Sequence, residues 1–465
     1  MLKYNYYIII IKINYFLWLV LKLVLSKYFH SIPVGFNQYA VFNSLIMDVI
    51  YVSERELQII TSPNEDDNVF STQMKAIGVW VNNHDVDKAA LQLLRSEYKA
   101  SQKKIEILYL IVTQGCNLGC KYCFLENEYA NWSVQMMSWK TAKIAIDKFI
   151  DYIKVNSITK PLIVFFGGEP LLNWGIIHQV VIYCEHYNSK SNEDARIRFS
   201  IITNGTMLND DIAEFLHNYN IGTAISIDGP KELNDKNRVY KSSPKSVYDS
   251  VQKNINILIE HKCSFGLSLT LSPELLICKE HLVPWLKEMN VANIFTNLFH
   301  YSKNDNNWKD HYKASASLIT DQFIQLYDAR IYNGRPIRQA ESIISGRFKF
   351  SDCAGVGLNQ LSIKPDGEIR VCQCDYESSD NHLGNILYDN IEELLSLDNS
   401  RWINKTPIMR DECQHCEALF CCGGGCITQS RILFTNEQID YSYCIYAKHI
   451  LKWILEKNYN EEDKQ

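Results

Sequence analysis

Cys116, Cys120 and Cys123 share one short stretch, Cys116-Asn117-Leu118-Gly119-Cys120-Lys121-Tyr122-Cys123. Spaced C-x3-C-x2-C on a single loop, three thiolates can hold three corners of a 4Fe–4S cluster and leave one iron without a protein ligand. An iron with an open position binds a small molecule and does chemistry, whereas a fully ligated one mainly carries electrons. The competing readings are a zinc loop and three incidental core thiols. Zinc usually takes its ligands as two tight Cys pairs, and no second pair lies within about 20 residues. Iron–sulfur is therefore preferred. A second field holds seven more thiols: Cys353, Cys372, Cys413, Cys416, Cys422, Cys426 and Cys444. Its centre reads C-x2-C-x5-C-x3-C, with Gly423-Gly424-Gly425 inside the last interval. Glycines between thiolates permit a chain reversal around an inorganic core and free backbone N–H groups for its sulfides. Zinc competes here too, because C-x2-C is its knuckle, although seven thiols suit tetrahedral sites poorly.

The elements that must position these loops are legible from residue 105 onward. Apolar strand-like runs at Ile105–Val112, Leu162–Phe166, Arg198–Thr203, Gly222–Ile227, Phe265–Leu271 and Asn293–Leu298 alternate with helix-like stretches. The helices are expected at Trp139–Ile153, Gly175–Tyr187, Asp210–Tyr219, Ser246–His261 and Lys279–Met289. Near-continuous apolar strands separated by helices imply an α/β protein with a parallel sheet, here an open, partial (β/α)6 barrel. In such folds ligands bind at the carboxyl ends of the strands. The first cysteine loop falls at that end. So do Gly167-Gly168-Glu169-Pro170, Thr203-Asn204-Gly205 and Ser226-Ile227-Asp228-Gly229-Pro230, with Arg238 downstream. Two glycines let a ligand approach the backbone, and a neighbouring carboxylate can accept from an ammonium group. Each motif alone is an ordinary turn signal.

The remaining organisation is coarser. At 465 residues, 46% hydrophobic and 22% charged, the chain suits two or three globular domains. A net charge of -6 gives no basic footprint, so nucleic acid is not expected as the main partner. Fifteen cysteines point to metal in a reducing, cytoplasmic compartment rather than to disulfides. Residues 1–30 form an apolar segment: Tyr6 to Leu25 is interrupted by Lys12 and Lys22. A membrane anchor, an amphipathic surface helix and a start codon placed too far upstream all remain as readings, with the last two preferred. Residues 31–102 form a small N-terminal α+β domain with strands at Gln38–Phe42 and Leu45–Val52 and a helix at Val86–Tyr98. It is either a packing cap or a peptide-docking module. The core spans 103–300, a helical bridge 301–350 (helix at Lys309–Tyr332), the second cysteine field 351–450 and a polar tail 451–465.

C-x3-C-x2-C after the first strand, G-G-E-P after the second, T-N-G after the third and S-x-D-G-P after the fourth together resemble the radical S-adenosylmethionine (SAM) superfamily. The resemblance implies a 4Fe–4S cluster on Cys116, Cys120 and Cys123 whose open iron chelates SAM. It also implies Tyr122 near the adenine, Gly167, Gly168 and Glu169 at the methionyl amine, and Asn204, Ser226, Asp228 and Arg238 around the rest of SAM. The reaction implied is reductive cleavage of SAM to a 5′-deoxyadenosyl radical, fed by a one-electron donor of the flavodoxin or ferredoxin type.

The second cysteine field resembles the SPASM domain of peptide- and protein-modifying members. Carried over, Cys413, Cys416, Cys422 and Cys444 hold one auxiliary 4Fe–4S cluster, and Cys353, Cys372 and Cys426 hold three irons of another. Some relatives supply a fourth thiolate shortly after the first cysteine, yet residues 354–362 contain none. Either that iron is open to a substrate thiolate or Cys374 completes it. Otherwise Cys374 reads as a packing residue, as do Cys184, Cys263, Cys278 and Cys421. SPASM enzymes modify ribosomal peptides or proteins, so a precursor peptide or protein is the implied partner. Sulfatase-maturing members place an aspartate directly after the second SPASM cysteine. Here that position is Gln373, and Asp375 is the nearest candidate base. Peptide maturation, such as a thioether or carbon–carbon crosslink, is thus preferred to formylglycine formation on a sulfatase. A zinc-organised binding protein is the non-enzymatic alternative.

Overall fold

The computed structural model describes residues 23–63, 68–100, 104–123, 134–299, 308–329, 342–343, 345–374, 382–397, 404–433 and 439–462. Residues 1–22, and with them most of the apolar segment, lie outside these, as does Asp375. No helix among the described residues is long and apolar enough to cross a membrane.

The N-terminal unit begins with β1 (Val24–Leu25). β2 (Phe29–Gly35), β3 (Gln38–Asn43) and β4 (Val49–Ser53) form an antiparallel three-stranded sheet, and β5 (Trp80–Val81) pairs with β1. Ser53 ends β4 and starts the Glu54–Ile60 helix through reciprocal caps: its Oγ accepts from Glu56 N–H, and Glu56 Oε2 accepts from Ser53 N–H at 2.7 Å. The helix expected at Val86–Tyr98 runs His84–Ala100 and buries Val86, Leu91, Leu94 and Tyr98. β2 was not foreseen, because His30, Ser31 and Pro33 interrupt its apolar pattern.

The six core strands follow the expected runs closely: β6 (Ile107–Thr113), β7 (Leu162–Gly167), β8 (Arg198–Thr203), β9 (Gly222–Ser226), β10 (Phe265–Leu271) and β11 (Ile294–Leu298). All pair in parallel and in chain order. Helices Trp139–Asn156, Trp174–Asn188, Asp210–Asn218, Val247–Glu260 and Lys279–Met289 connect them. Three of these helices start on side-chain caps: Ser138, Asn209 and Ser246 each accept a backbone N–H of the first turn. Because side chains alternate along a strand, Ile163, Phe165, Phe199, Ile201 and Ile225 are buried on one face. Tyr109, Phe166, Ser200, Ile202, Ala224 and Ser226 occupy the alternate positions and stay half-buried. One face of the sheet is thus sealed, while the other is mixed, with Ile111, Val164 and Ser268 buried between these half-buried positions.

The cysteine-rich region does not stand apart from this sheet. β12 (Gln360–Ile363) pairs in parallel with β6, placing Ser362 opposite Tyr109. β13 (Glu368–Arg370) and β14 (His382–Asn385) continue antiparallel, giving nine strands in the order β11-β10-β9-β8-β7-β6-β12-β13-β14. Lys148, on the first core helix, donates to Ile386 O and Asp389 O at 2.7 Å and fastens that extension. The bridge helix spans Trp308–Asp328. The expected polar tail is instead the end of the Tyr441–Glu462 helix, with Leu451, Ile454 and Leu455 buried. That helix packs Trp453 on Tyr327 of the bridge helix (ring centroids 5.1 Å), and Leu455 O accepts from Tyr51 Oη at 3.2 Å.

Candidate functional site at the carboxyl ends of the core strands

The loop after β6 is built by pairing with residues 237–241. Gly119 N–H donates to Val239 O (2.8 Å), Lys121 N–H to Asn237 O (2.9 Å) and Lys241 N–H to Asn117 O (3.1 Å), and Leu118 bridges Tyr240. A second tether reaches β8: Asn204 Nδ2 donates to Asn117 Oδ1 (2.8 Å), and Asn117 Nδ2 donates to Thr206 Oγ1 (2.9 Å). Nitrogen donors also meet the first sulfur. Leu118 N–H lies 3.4 Å and Asn204 Nδ2 3.8 Å from Cys116 Sγ. Burial pushes the Cys116 thiol up to about 11 and Cys120 up to about 12. Cys123 adds to both shifts and Cys116 adds to that of Cys120, so the three sulfurs lie within electrostatic reach of one another; Arg238 opposes the shift at Cys120.

The G-G-E-P turn packs against the start of the cysteine loop. A Cβ on Gly167 would sit 2.2 Å from Thr113 O, and one on Gly168 2.2 Å from Gly115 O. The space that the absent side chains leave is filled by the backbone leading into the cysteine loop. Gly168 N–H donates to Thr113 O (3.0 Å) and Glu169 N–H to Gly115 O (2.8 Å), which fixes where Cys116 begins. Glu169 is fully buried. Its Oε1 accepts from Leu171 N–H (3.0 Å) and Thr203 Oγ1 (2.7 Å), and its Oε2 from Asn204 N–H (2.7 Å). Burial raises its pKa to about 7 against those three donors. The carboxylate thus ties the end of β7 to the end of β8.

Asp228 and Arg238 form a second buried knot. Arg238 Nε donates to Asp228 Oδ2 (2.7 Å) and Nη2 to Oδ1 (3.2 Å); Thr270 N–H also donates to Oδ1 (3.0 Å), and Tyr122 Oη to Oδ2. The guanidinium lies 5.6 Å from the centroid of the Tyr122 ring. Two of Arg238's nitrogens are therefore committed to Asp228, and Tyr122 inside the cysteine loop is bolted to the end of β9. Ser226 sits on the half-buried face of β9, in register with Ser268 of β10. Sequence reasoning missed Asn117, Thr206 and the 237–241 strap; their importance comes from pairing across about 90 to 120 residues, which no local pattern encodes.

The second cysteine field divides into two groups. Three successive glycines, Gly423, Gly424 and Gly425, all have positive φ (71°, 96° and 69°) and pack against Asp352, Pro407 and Tyr443. This reversal sends Cys422 one way and Cys426 the other. Burial, followed by Cys413 and Cys416, pushes Cys444 up to about 12, and burial with Cys444, Cys421 and Cys416 raises Cys422. On the other side burial and then Cys372 push Cys353 up to about 11, and burial, Cys353 and Cys372 raise Cys426. Tyr109, on the half-buried face of β6, is raised by burial and then by Cys374, Cys372 and Cys353, so this group borders the same face of the core. Cys263 and Cys421 donate to the carbonyls of Ala213 (3.2 Å) and Ala418 (3.6 Å), as packing thiols do. None of the fifteen cysteines is in a disulfide. Among the described residues no group of three or more His, Cys, Asp or Glu side chains is gathered as around a single metal ion.

Comparison with known proteins agrees with this arrangement. The family model described as Radical SAM superfamily matches residues 110–275, and the SPASM model, an iron–sulfur cluster-binding domain, matches residues 353–417. The chain is 27% identical over 381 residues to the radical SAM cyclopropyl synthase TigE of Paramaledivibacter caminithermalis, covering 77% of this chain and 75% of that one. It is 24% identical over 360 residues to a cysteine-type anaerobic sulfatase-maturating enzyme of Clostridium novyi, covering 74% and 93%. Its fold is similar to that of anSMEcpe solved with AdoMet and the Cp18Cys peptide (TM-score 0.61, 20% identity, covering 76% and 99%). The chain carries a radical SAM domain and a SPASM domain. It is an enzyme whose cofactors are 4Fe–4S clusters and SAM.

Proposed function

We propose that this enzyme modifies a ribosomally made precursor peptide or protein, with Cys116, Cys120 and Cys123 holding the SAM-binding cluster. These three thiolates would hold three irons and leave the fourth for SAM, and the chemistry the cluster would supply is one-electron cleavage of the sulfonium for hydrogen abstraction from the substrate. The chain's own residues do the positioning. Leu118 N–H and Asn204 Nδ2 direct donors at Cys116 Sγ, as the surroundings of metal thiolates commonly do. The Tyr122–Asp228–Arg238 knot and the Gly167-Gly168-Glu169 turn hold the loop on the strand ends. The half-buried face of the sheet, from Tyr109 to Ser226, offers the surface on which a substrate segment would lie. An electron donor of the flavodoxin or ferredoxin type would feed the cluster.

The observation that favours peptide crosslinking over sulfatase maturation is Gln373. It stands where sulfatase-maturing members carry an aspartate, and its Oε1 accepts from Gln360 Nε2 at 2.8 Å. A hydrogen-bonded amide there supplies no base. The antiparallel sheet β2-β3-β4, with β4 at its edge, supports a docking role for the N-terminal unit, since an extended peptide can add to a sheet edge. The test is to reduce the anaerobically reconstituted enzyme with SAM beside two substrates, the peptide encoded next to its gene and a sulfatase-derived peptide. Loss of two hydrogens from the former supports crosslinking. Conversion of the cysteine of the latter to formylglycine, which loses the sulfur and two hydrogens and gains one oxygen, with the former untouched, would overturn it.

A further inference from the structure

We propose that Cys374 is the fourth thiolate of the group formed by Cys353, Cys372 and Cys426, so that this SPASM cluster is closed to substrate. The inference rests on the SPASM reading above and adds to it the ligand that residues 354–362 do not supply.

The geometry places the four sulfur-bearing positions around one another by separate contacts. The ideal Cβ position of Gly355 is 3.5 Å from Cys353 Sγ and 3.4 Å from Val371 O, so the first thiol lies beside the residue that precedes Cys372. Thr428 Oγ1, two residues past Cys426, donates to Cys372 Sγ at 3.9 Å. Gln429 N–H donates to Cys426 Sγ at 3.5 Å, which aims that sulfur back along its own helix start. Cys374 then closes the circle. Its N–H donates to Cys372 Sγ at 3.3 Å, which sets Cys374 directly beside the second thiol.

The segment where a fourth ligand would otherwise fall is committed elsewhere. Residues 353–359 form a tight turn in which Gly357 N–H donates to Cys353 O, Leu358 N–H to Gly355 O and Asn359 N–H to Ala354 O, all at 2.9–3.0 Å. Asn359 O accepts from Glu106 and Ile107, locking the turn to β6. No thiol, imidazole or carboxylate lies in residues 354–362. A cluster with four thiolates carries electrons and binds no substrate sulfur. A closed cluster therefore means that the peptide residue attacked need not be a cysteine.

The test uses the full chain with Cys116, Cys120 and Cys123 all changed to Ala, so that only auxiliary iron remains. Iron content and EPR are measured before and after mild anaerobic ferricyanide treatment, with and without Cys374→Ala; Cys421→Ala, a packing thiol next to the other group, is the control. A cubane with a non-cysteinyl corner sheds that iron and yields a 3Fe–4S signal. The closed cluster predicts no such signal in the parent or with Cys421→Ala, and a strong one with Cys374→Ala. A 3Fe–4S signal already present in the parent, unchanged by Cys374→Ala, refutes Cys374 as a ligand. So does a cluster whose spectrum ignores Cys374→Ala altogether. Absence of any iron in the parent would instead remove the SPASM reading itself, which separates the two failures.

Discussion

Gly168→Ala tests how the core sets the cysteine loop. The new Cβ would lie 2.2 Å from Gly115 O and 2.5 Å from Gly115 C, both backbone atoms that no rotamer change can move. Restoring ordinary contact means opening that gap by about 1.2 Å. The bonds from Glu169 N–H to Gly115 O (2.8 Å) and from Gly168 N–H to Thr113 O (3.0 Å) then lengthen past useful range. Overpacking costs about 1–3 kcal/mol, and each lost bond about 1 kcal/mol more. The expected destabilisation is about 3–5 kcal/mol, and Cys116, the next residue after Gly115, moves with it. Gly175→Ala is the matched control, because its Cβ meets nothing within 4 Å at an exposed helical position. It should gain about 0.5–1 kcal/mol. Urea midpoints and iron per chain, measured anaerobically, read both effects. Wild-type midpoint and iron content in Gly168→Ala would refute the packing role assigned to this turn.

Other outcomes follow from the same contacts. Asp228→Ala leaves Arg238 buried without its partner and should cost about 3–5 kcal/mol in urea denaturation, part of which returns in the Asp228→Ala, Arg238→Met double variant. Asn204→Ala removes the tether to Asn117 and the donor near Cys116 Sγ, and iron affinity should fall roughly 10- to 100-fold in chelator competition. His30 is pushed down to about 4, first by burial and with further lowering from His415 and Lys448 against Glu417. Because the folded pKa lies below the unfolded one, the unfolded chain takes the proton first as pH falls. Stability is intact above about pH 6.5 and is lost toward pH 4, by on the order of 3 kcal/mol. Urea titrations at pH 7 and pH 4.5 should show that extra loss in wild type and not in His30→Gln.

How much of this was readable in the chain depends on the range of the forces involved. β6 to β11 were legible because each is an apolar run whose burial is demanded locally, and the first cysteine motif was legible because Cys116, Cys120 and Cys123 share one short stretch. β12 was not: Gln360 to Ile363 is a short run, and its place beside β6 is decided by tertiary pairing. β2 was hidden by Pro33 and its neighbours. Gly167, Gly168 and Glu169 were recognised as special, but their partners Thr113, Gly115 and Thr203 lie apart in sequence, so the residue types alone did not reveal these contacts. The tail at 451–465 looked polar because Lys and Glu alternate with the buried stripe of Leu451, Ile454 and Leu455.

The most direct measurement is 5′-deoxyadenosine release from SAM under anaerobic reduction, in wild type and in the Cys116→Ala, Cys120→Ala, Cys123→Ala variant that keeps its SPASM thiols. The first loop as the seat of the catalytic iron predicts release by wild type and none by the variant, with auxiliary iron still present in both. Release that survives the three substitutions would contradict it.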